Sequence, residues 1–408
     1  MTVTEAPSTA STSTPGPRTA PGAITIVVCI ALATVVAAMS SLNVALPDIA
    51  RSTHATQTQL EWVIDTYSLV FAALLLPAGA VGDRFGRRRA LIVGLAVFGA
   101  GSALAMTAHS ATELIMLRAV LGLGAALVMP ATLSTITGNF PPAQRTRAVS
   151  VWAAVAGGSA VLGLLCSGIL LEFWSWRSVF ALNVILAAAA IAGTVLAVPE
   201  SADGDAPRLD LVGAIIAVIG MVALVFSVIE APDYGWASAR TLVGITAGLL
   251  VQAGFVLWEL TRRAPLLDPR IFRHRRLAAG TLSIFVQFFA FFGFVFVVLQ
   301  YLQLVHRDTA LVSAVSMLPM AAAMMPTARL APRLVARFGA RAVCVTGLVL
   351  VSAGLAILAQ LDAGSGYGWL LAGLVLLGAG MGAAMTPATT AITEALPAAA
   401  QGVGSAVN

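Results

Sequence analysis

Asp65 and Arg118 are ionisable residues set inside long apolar runs, at roughly 61–81 and 113–137. Insertion scales put the cost of such a charge at mid-helix at about 2.5–3.5 kcal/mol, and a charge held inside a membrane span has a function by default. An aspartate there can take up and release a proton, because burial and a nearby guanidinium act on its proton affinity in opposite senses. Arginine stays charged and cannot carry the proton itself. If the two runs are antiparallel helices, a rise of about 1.5 Å per residue brings the pair to similar depth. The expectation is a proton-carrying Asp65 whose affinity Arg118 sets. The alternative is a static ion pair that holds the two helices together.

A second constellation is Gly79-Ala-Val-Gly-Asp83-Arg84-Phe-Gly86-Arg87-Arg88-Arg89, which links the run at 61–81 to the next at 90–108. A charged, glycine-bracketed link cannot lie in lipid, so it marks a membrane face, and its arginines make that face cytoplasmic. Gly79 and Gly86 permit close backbone approach and a tight turn. A third group is apolar. The run 278–302 carries Phe285, Phe288, Phe289, Phe292 and Phe296 along one stripe with Gln287 beside it, and the next carries Met317, Met320, Met324 and Met325. Flexible Met and aromatic surfaces suit varied apolar ligands, while packed core or lipid contact explains any single one of them equally well.

The elements that must hold these residues are membrane spans. The chain is 59% hydrophobic and 10% charged. Soluble domains carry about a quarter charged residues and confine their apolar ones to periodic stripes. Here the apolar residues run in blocks, and about 20 residues of helix cross a hydrocarbon core. Blocks fall at about 23–46, 61–81, 90–108, 113–137, 148–170, 178–198, 211–229, 241–259, 278–302, 310–330, 342–360 and 368–393. The expected organisation is a disordered tail at 1–21, a six-helix bundle at 22–198, an inserted two-helix hairpin with flanking links at 199–276, and a second bundle at 277–408. The net charge of +5 is all arginine, gathered in alternate links, which reads as topology and not as a nucleic-acid face. Arg84, Arg145, Arg273 and Arg333 mark the inner side, Arg51, Arg177, Arg240 and Arg307 the outer, so the amino terminus is cytoplasmic. Cys29, Cys166 and Cys344 lack metal or disulfide spacing, and the four histidines lie in links, so no metal is expected. Gly122-x-Gly124 and Gly378-x-Gly380 follow no strand and read as helix-packing glycines, with no nucleotide or other cofactor implied.

A weak repeat runs through the chain. Asp83-Arg-Phe-Gly86-Arg-Arg88 is echoed by Ala336-Arg-Phe-Gly339-Ala-Arg341, and Leu121-Gly-Leu-Gly124 by Leu377-Gly-Ala-Gly380. Parallel repeats build two halves around a central site. The runs at 211–229 and 241–259 stand outside the repeat. Six spans in the first half against four in the second lead to the expectation that two helices beyond Asn408 are missing; the alternative is a natural twelve-span chain.

The pattern Gly79-x-x-x-Asp83-Arg84-x-Gly86-Arg87-Arg88 resembles the loop after the second helix in the major facilitator superfamily. With Asn43-Val-Ala-Leu-Pro47, Glu61-Trp-Val-Ile-Asp65-Thr-Tyr67, Leu114-x-x-x-Arg118-x-x-Leu-Gly122-x-Gly124 and Trp176-Arg177-x-x-Phe180-x-x-Asn183, the chain is similar to its fourteen-span drug:proton antiporter branch (EmrB/QacA type). Two positions depart from that pattern. The fifth-helix segment reads Gly163-Leu-Leu-Cys-Ser-Gly168, without the usual proline, and Ala38 stands where many relatives carry an acid. The resemblance implies an all-α polytopic membrane protein with a major facilitator fold. It implies a monomeric, proton-coupled exporter of small lipophilic or cationic compounds in the cytoplasmic membrane, surrounded by lipid and without enzymatic activity. The alternative within the same fold is an exporter or facilitator of an endogenous metabolite or lipid. The segment from Gly79 to Arg88 would gate the conformational cycle, and Asn43, Tyr67, Gln287, Phe288, Phe292, Met320 and Met324 would line the substrate cavity.

Overall fold

A computed structural model describes residues 21–202, 210–262, 265–266, 268–362 and 364–394. The predicted tail, Arg208, Arg263 and the chain end after 394 lie outside the described residues.

The first six helices are α1 (Pro21–Thr53), α2 (Gln57–Phe85), α3 (Arg87–Ala105), α4 (Ala111–Asn139), α5 (Pro142–Phe173) and α6 (Arg177–Ala197). The hairpin is α7 (Leu211–Ile229), the single turn α8 (Ala231–Tyr234) and α9 (Ala239–Thr261). A short 3-10 turn at Pro269–Arg273 leads to α10 (Arg275–Leu304), α11 (Ala310–Val315), α12 (Leu318–Phe338), α13 (Ala340–Leu358) and α14 (Tyr367–Glu394). Among the described residues there is no strand, and 12 helical segments are long and apolar enough to cross a membrane.

Local sequence sets the ends. Thr56 and Gln59 form a reciprocal capping box at the start of α2: the Thr56 hydroxyl accepts from the Gln59 N–H, and Gln59 Oε1 accepts from the Thr56 N–H. Ser110 caps α4 through the Glu113 N–H, and Asp210 caps α7 through the Gly213 N–H. The predicted single run at 310–330 is broken at Ser316–Met317 into α11 and α12. Pro319 explains the restart, since a residue without an N–H is tolerated only in the first turn.

The charged link is the larger departure from expectation. It is helical except at Gly86, which alone separates α2 from α3 with φ +118°. Gly339 does the same between α12 and α13 with φ +85°, so the sequence repeat is also a repeat of backbone geometry. Helix contact repeats too. A methyl on Gly124 would lie 2.7 Å from the Gly94 carbonyl oxygen, and one on Gly380 would lie 2.5 Å from that of Gly347. Both α3–α4 and α13–α14 therefore touch backbone to backbone.

One buried cluster fills the first six helices around Leu46, Tyr67, Leu95, Phe98, Leu121 and Phe180. Another centres on Leu299, Leu302, Met317, Leu374 and Leu377 and takes in Val44 and Leu164 from the first half. The halves meet toward the end away from Asp83. There Gln303 Nε2 donates to the Val44 carbonyl at 3.0 Å, and a methyl on Gly168 would come within 3.0 Å of Ala314 on α11. The hairpin packs on α2. Its base is tied by Trp258, which donates to Asp210 at 2.8 Å, and by Arg262, which stacks 3.6 Å over the Trp258 ring.

Candidate functional site

Arg118 is 1% exposed, and no carboxylate among the described residues pairs with it. Its Nε donates to the Val63 carbonyl at 2.8 Å, Nη2 to that of Ile64 at 3.3 Å, and Nη1 to that of Ala38 at 3.3 Å. The guanidinium carbon sits 4.3 Å from the centre of the Tyr67 ring, and the Tyr67 hydroxyl donates to Val35 at 2.7 Å. One side chain of α4 thus binds α1 and α2 together. Carbonyl dipoles and an aromatic face supply the stabilisation that a buried cation needs. α4 reaches α2 closely enough because of Gly122, where a methyl would stand 2.6 Å from the Tyr67 carbonyl oxygen.

Asp65 is half-buried and makes no hydrogen bond or ion pair, with Arg118 or any other described residue. Arg118 and Glu61 are the charged groups that act on it through space. Arg118 thus binds the carbonyls of the two residues before Asp65, and the two side chains do not form an ion pair.

At the opposite end of α2, Asp83 accepts from Arg87 Nε at 2.9 Å. The Arg87 N–H donates to the Ser201 carbonyl at 2.9 Å, and Arg88 Nη2 donates to Val195 at 2.7 Å. Glu200, just past α6, accepts from the Arg88 N–H at 3.2 Å and faces Arg89 at 3.6 Å. A carboxylate at the start of α3 meets free N–H groups and the positive end of the helix dipole. Sequence reasoning missed Glu200. The available signal was an acid at the end of one span, facing the same side as the arginines. Arg84 is exposed and lies 5.8 Å from its neighbour's ring, Phe85. Gly79 packs on Pro130 of α4. These contacts all lie within the first six helices and the start of the link after α6.

The proposed cavity residues divide. Asn43, Tyr67, Gln287 and Met320 are buried within the bundles. Asn43 donates to the Ser40 carbonyl, and Gln287 donates to Ser283 while its Oε1 has no partner. Phe288 and Phe292 stack with centroids 5.9 Å apart, Phe292 is exposed, and Met324 is half-buried beside the second cluster.

Comparison with known proteins agrees with this architecture. Residues 28–408 match the family model for the Major Facilitator Superfamily. The chain is 33% identical over 377 residues to the tetracenomycin C resistance and export protein of Streptomyces glaucescens, covering 92% of this chain and 70% of that one. It is 35% identical over 367 residues to the multidrug resistance protein Stp of Mycobacterium tuberculosis (strain CDC 1551 / Oshkosh), covering 90% and 68%. Its fold is similar to the inward-open xylose transporter XylE from E. coli, with a TM-score of 0.60 at 17% identity over 95% of this chain and 87% of that one. Twelve helical segments of membrane length among the described residues, two glycine-jointed halves and these relatives lead to one conclusion: the chain belongs to the Major Facilitator Superfamily and is a membrane transporter, not an enzyme.

Proposed function

We propose that this transporter exports small lipophilic or cationic compounds, drugs among them, across the cytoplasmic membrane in exchange for protons. The observation that carries the reading is the similarity, over most of the chain, to proteins named for drug resistance and export. Asp65 is its proton carrier: an acid without a fixed partner, inside a span, is free to change charge during a cycle. Arg118 stays charged nearby and sets its affinity without becoming a competing carrier.

Alternating access is supported by where the halves touch. Among the described residues, they are joined by a hydrogen bond at the Val44–Gln303 end, and none joins them at the Asp83 end. With the arginine-rich face in the cytoplasm, this is an inward-facing arrangement. The hairpin outside the repeat supports membership of the fourteen-span branch. The segment from Gly79 to Arg88 holds the cytoplasmic ends of α2, α3 and α6 as one body that the cycle moves.

The test is accumulation of a panel of lipophilic cations in cells that express the chain. Expression should lower accumulation, and a protonophore should restore it. Unchanged accumulation across the panel would sink the export reading, and lowered accumulation that ignores the protonophore would remove the proton.

A further inference from the structure

Thr58 and Trp62 stand one turn apart on α2, and both reach the hairpin. Trp62 donates its indole N–H to Glu230 at 2.8 Å, Thr58 donates its hydroxyl to Asp233 at 2.8 Å, and the Trp62 and Phe226 rings lie 5.5 Å apart. At about 100° per residue, Asp65 lies roughly 20° round the helix from Thr58 and roughly 60° from Trp62. Tyr67, under the Arg118 guanidinium, lies roughly 200° from Asp65 on the same count. Arg118 therefore grips one side of α2, and Asp65 occupies the side on which the hairpin is docked.

The surroundings on that side are distinctive. From Leu211 to Ile229 the only polar side chain of α7 is Ser227, and its hydroxyl is committed to the Ala223 carbonyl. The charged groups that act on Asp65 are Glu61 on its own helix and Arg118 on α4; at the hairpin tip Glu230 and Asp233 hold Trp62 and Thr58, and Arg240 lies over the Tyr234 ring. Glu61, Glu230 and Asp233 are acids placed toward the Gln57 end of α2, where Thr58 and Trp62 meet the hairpin.

We propose that the hairpin is a working part of the proton site: α7 walls Asp65 off from lipid, and Glu230 acts through Trp62 as its positioning residue. Protons reach Asp65 along the seam between α2 and α7, past Glu61, Glu230 and Asp233. This rests on the reading of Asp65 as proton carrier. Loosening the Trp62–Glu230 tie opens the seam to water, which stabilises the ionised carboxylate and alters the pH at which it loads.

The experiment uses the full chain in proteoliposomes, with ethidium as the probe, and compares uphill efflux across an imposed pH gradient with equilibrium binding of the dye. Trp62→Phe keeps a ring against Phe226 but loses the N–H donor, and Glu230→Ala loses the acceptor. Both should move the pH profile of uphill efflux toward acid by about half a unit or more, with dye binding unchanged. Glu230→Gln keeps an acceptor oxygen and should bring the profile back toward that of the original protein. Asp65→Asn separates the two claims. If it still concentrates dye, the proton travels elsewhere and the Asp65 reading fails. If it abolishes uphill efflux while Trp62→Phe and Glu230→Ala titrate like the original, only the role of the hairpin is overturned. Equal loss of binding and efflux in those two variants, without a pH shift, would make the tie a structural brace and would also overturn it.

Discussion

The guanidinium of Arg118 lies 4.3 Å over the ring of Tyr67 while its nitrogens bind carbonyls of two other helices. A buried cation is thereby satisfied by dipoles and a π face, so its partners cannot be protonated away at any physiological pH. Arg118→Lys should not replace it, because an ammonium lacks the planar fork that reaches three carbonyls at once. Arg118→Ala should lower stability by about 2 kcal/mol or more through the cavity and the lost contacts. Thermal melts in detergent check both, and an unchanged melting temperature in the alanine variant would contradict the picture.

Asp65→Asn is expected to abolish uphill efflux yet keep substrate binding and downhill exchange, since the amide cannot carry a proton. The variant should fold as well as the original, because Asp65 makes no hydrogen bond that the change would break. Efflux against a gradient, measured beside equilibrium dye binding, decides this.

Glu200 caps α3 from the end of α6, and its loss should cost about 0.5–2 kcal/mol, the range for removing a helix cap. Glu200→Gln keeps an acceptor for the Arg88 N–H and should lose little, because the Arg89 pair is largely exposed and contributes at most about 1 kcal/mol. A glutamine variant as unstable as the alanine variant would mean that the ion pair, not the cap, matters.

Gly86→Ala faces two penalties. Its φ of +118° is a conformation that costs a non-glycine residue about 1–3 kcal/mol, and the added methyl would lie 2.6 Å from Glu200 Oε1. Combining it with Glu200→Ala removes the clash but not the strain, so the double variant should be less destabilised than the sum of the singles. Strict additivity in melts would show that the two residues do not meet.

Asp83→Asn should leave the protein inserted and folded, since the Asp83–Arg87 pair is near the surface and weak. Transport should nonetheless fall severely if this segment moves as one body in the cycle. Normal efflux would reduce it to a topological marker.

The spanning helices were legible in the sequence because each apolar block is bounded by charge or by glycine and proline. Gly86 and Gly339 stood out for the same reason. The α11–α12 break was not seen, since both pieces are apolar, although Pro319 could have signalled it. The partners of Arg118 were hidden because backbone carbonyls belong to every residue and leave no trace in residue type. Glu200 and Glu230 were missed for a different reason: each meets its partner, Arg88 or Trp62, across more than 100 positions of chain. Asp65 is legible as an acid inside an apolar run, but the side of α2 it occupies depends on the Thr58 and Trp62 contacts with the hairpin, which residue type does not reveal.

The single-residue joints at Gly86 and Gly339 have a mechanical consequence. Two helices separated by one residue share no slack, so neither can slide along its axis without pulling the other. What the joint leaves free is torsion about two backbone dihedrals. A push on the end of α2 must therefore reach α3 as a turn about Gly86, and a push on α12 must reach α13 as a turn about Gly339. The two halves carry matched levers, and their swing is set by one glycine in each.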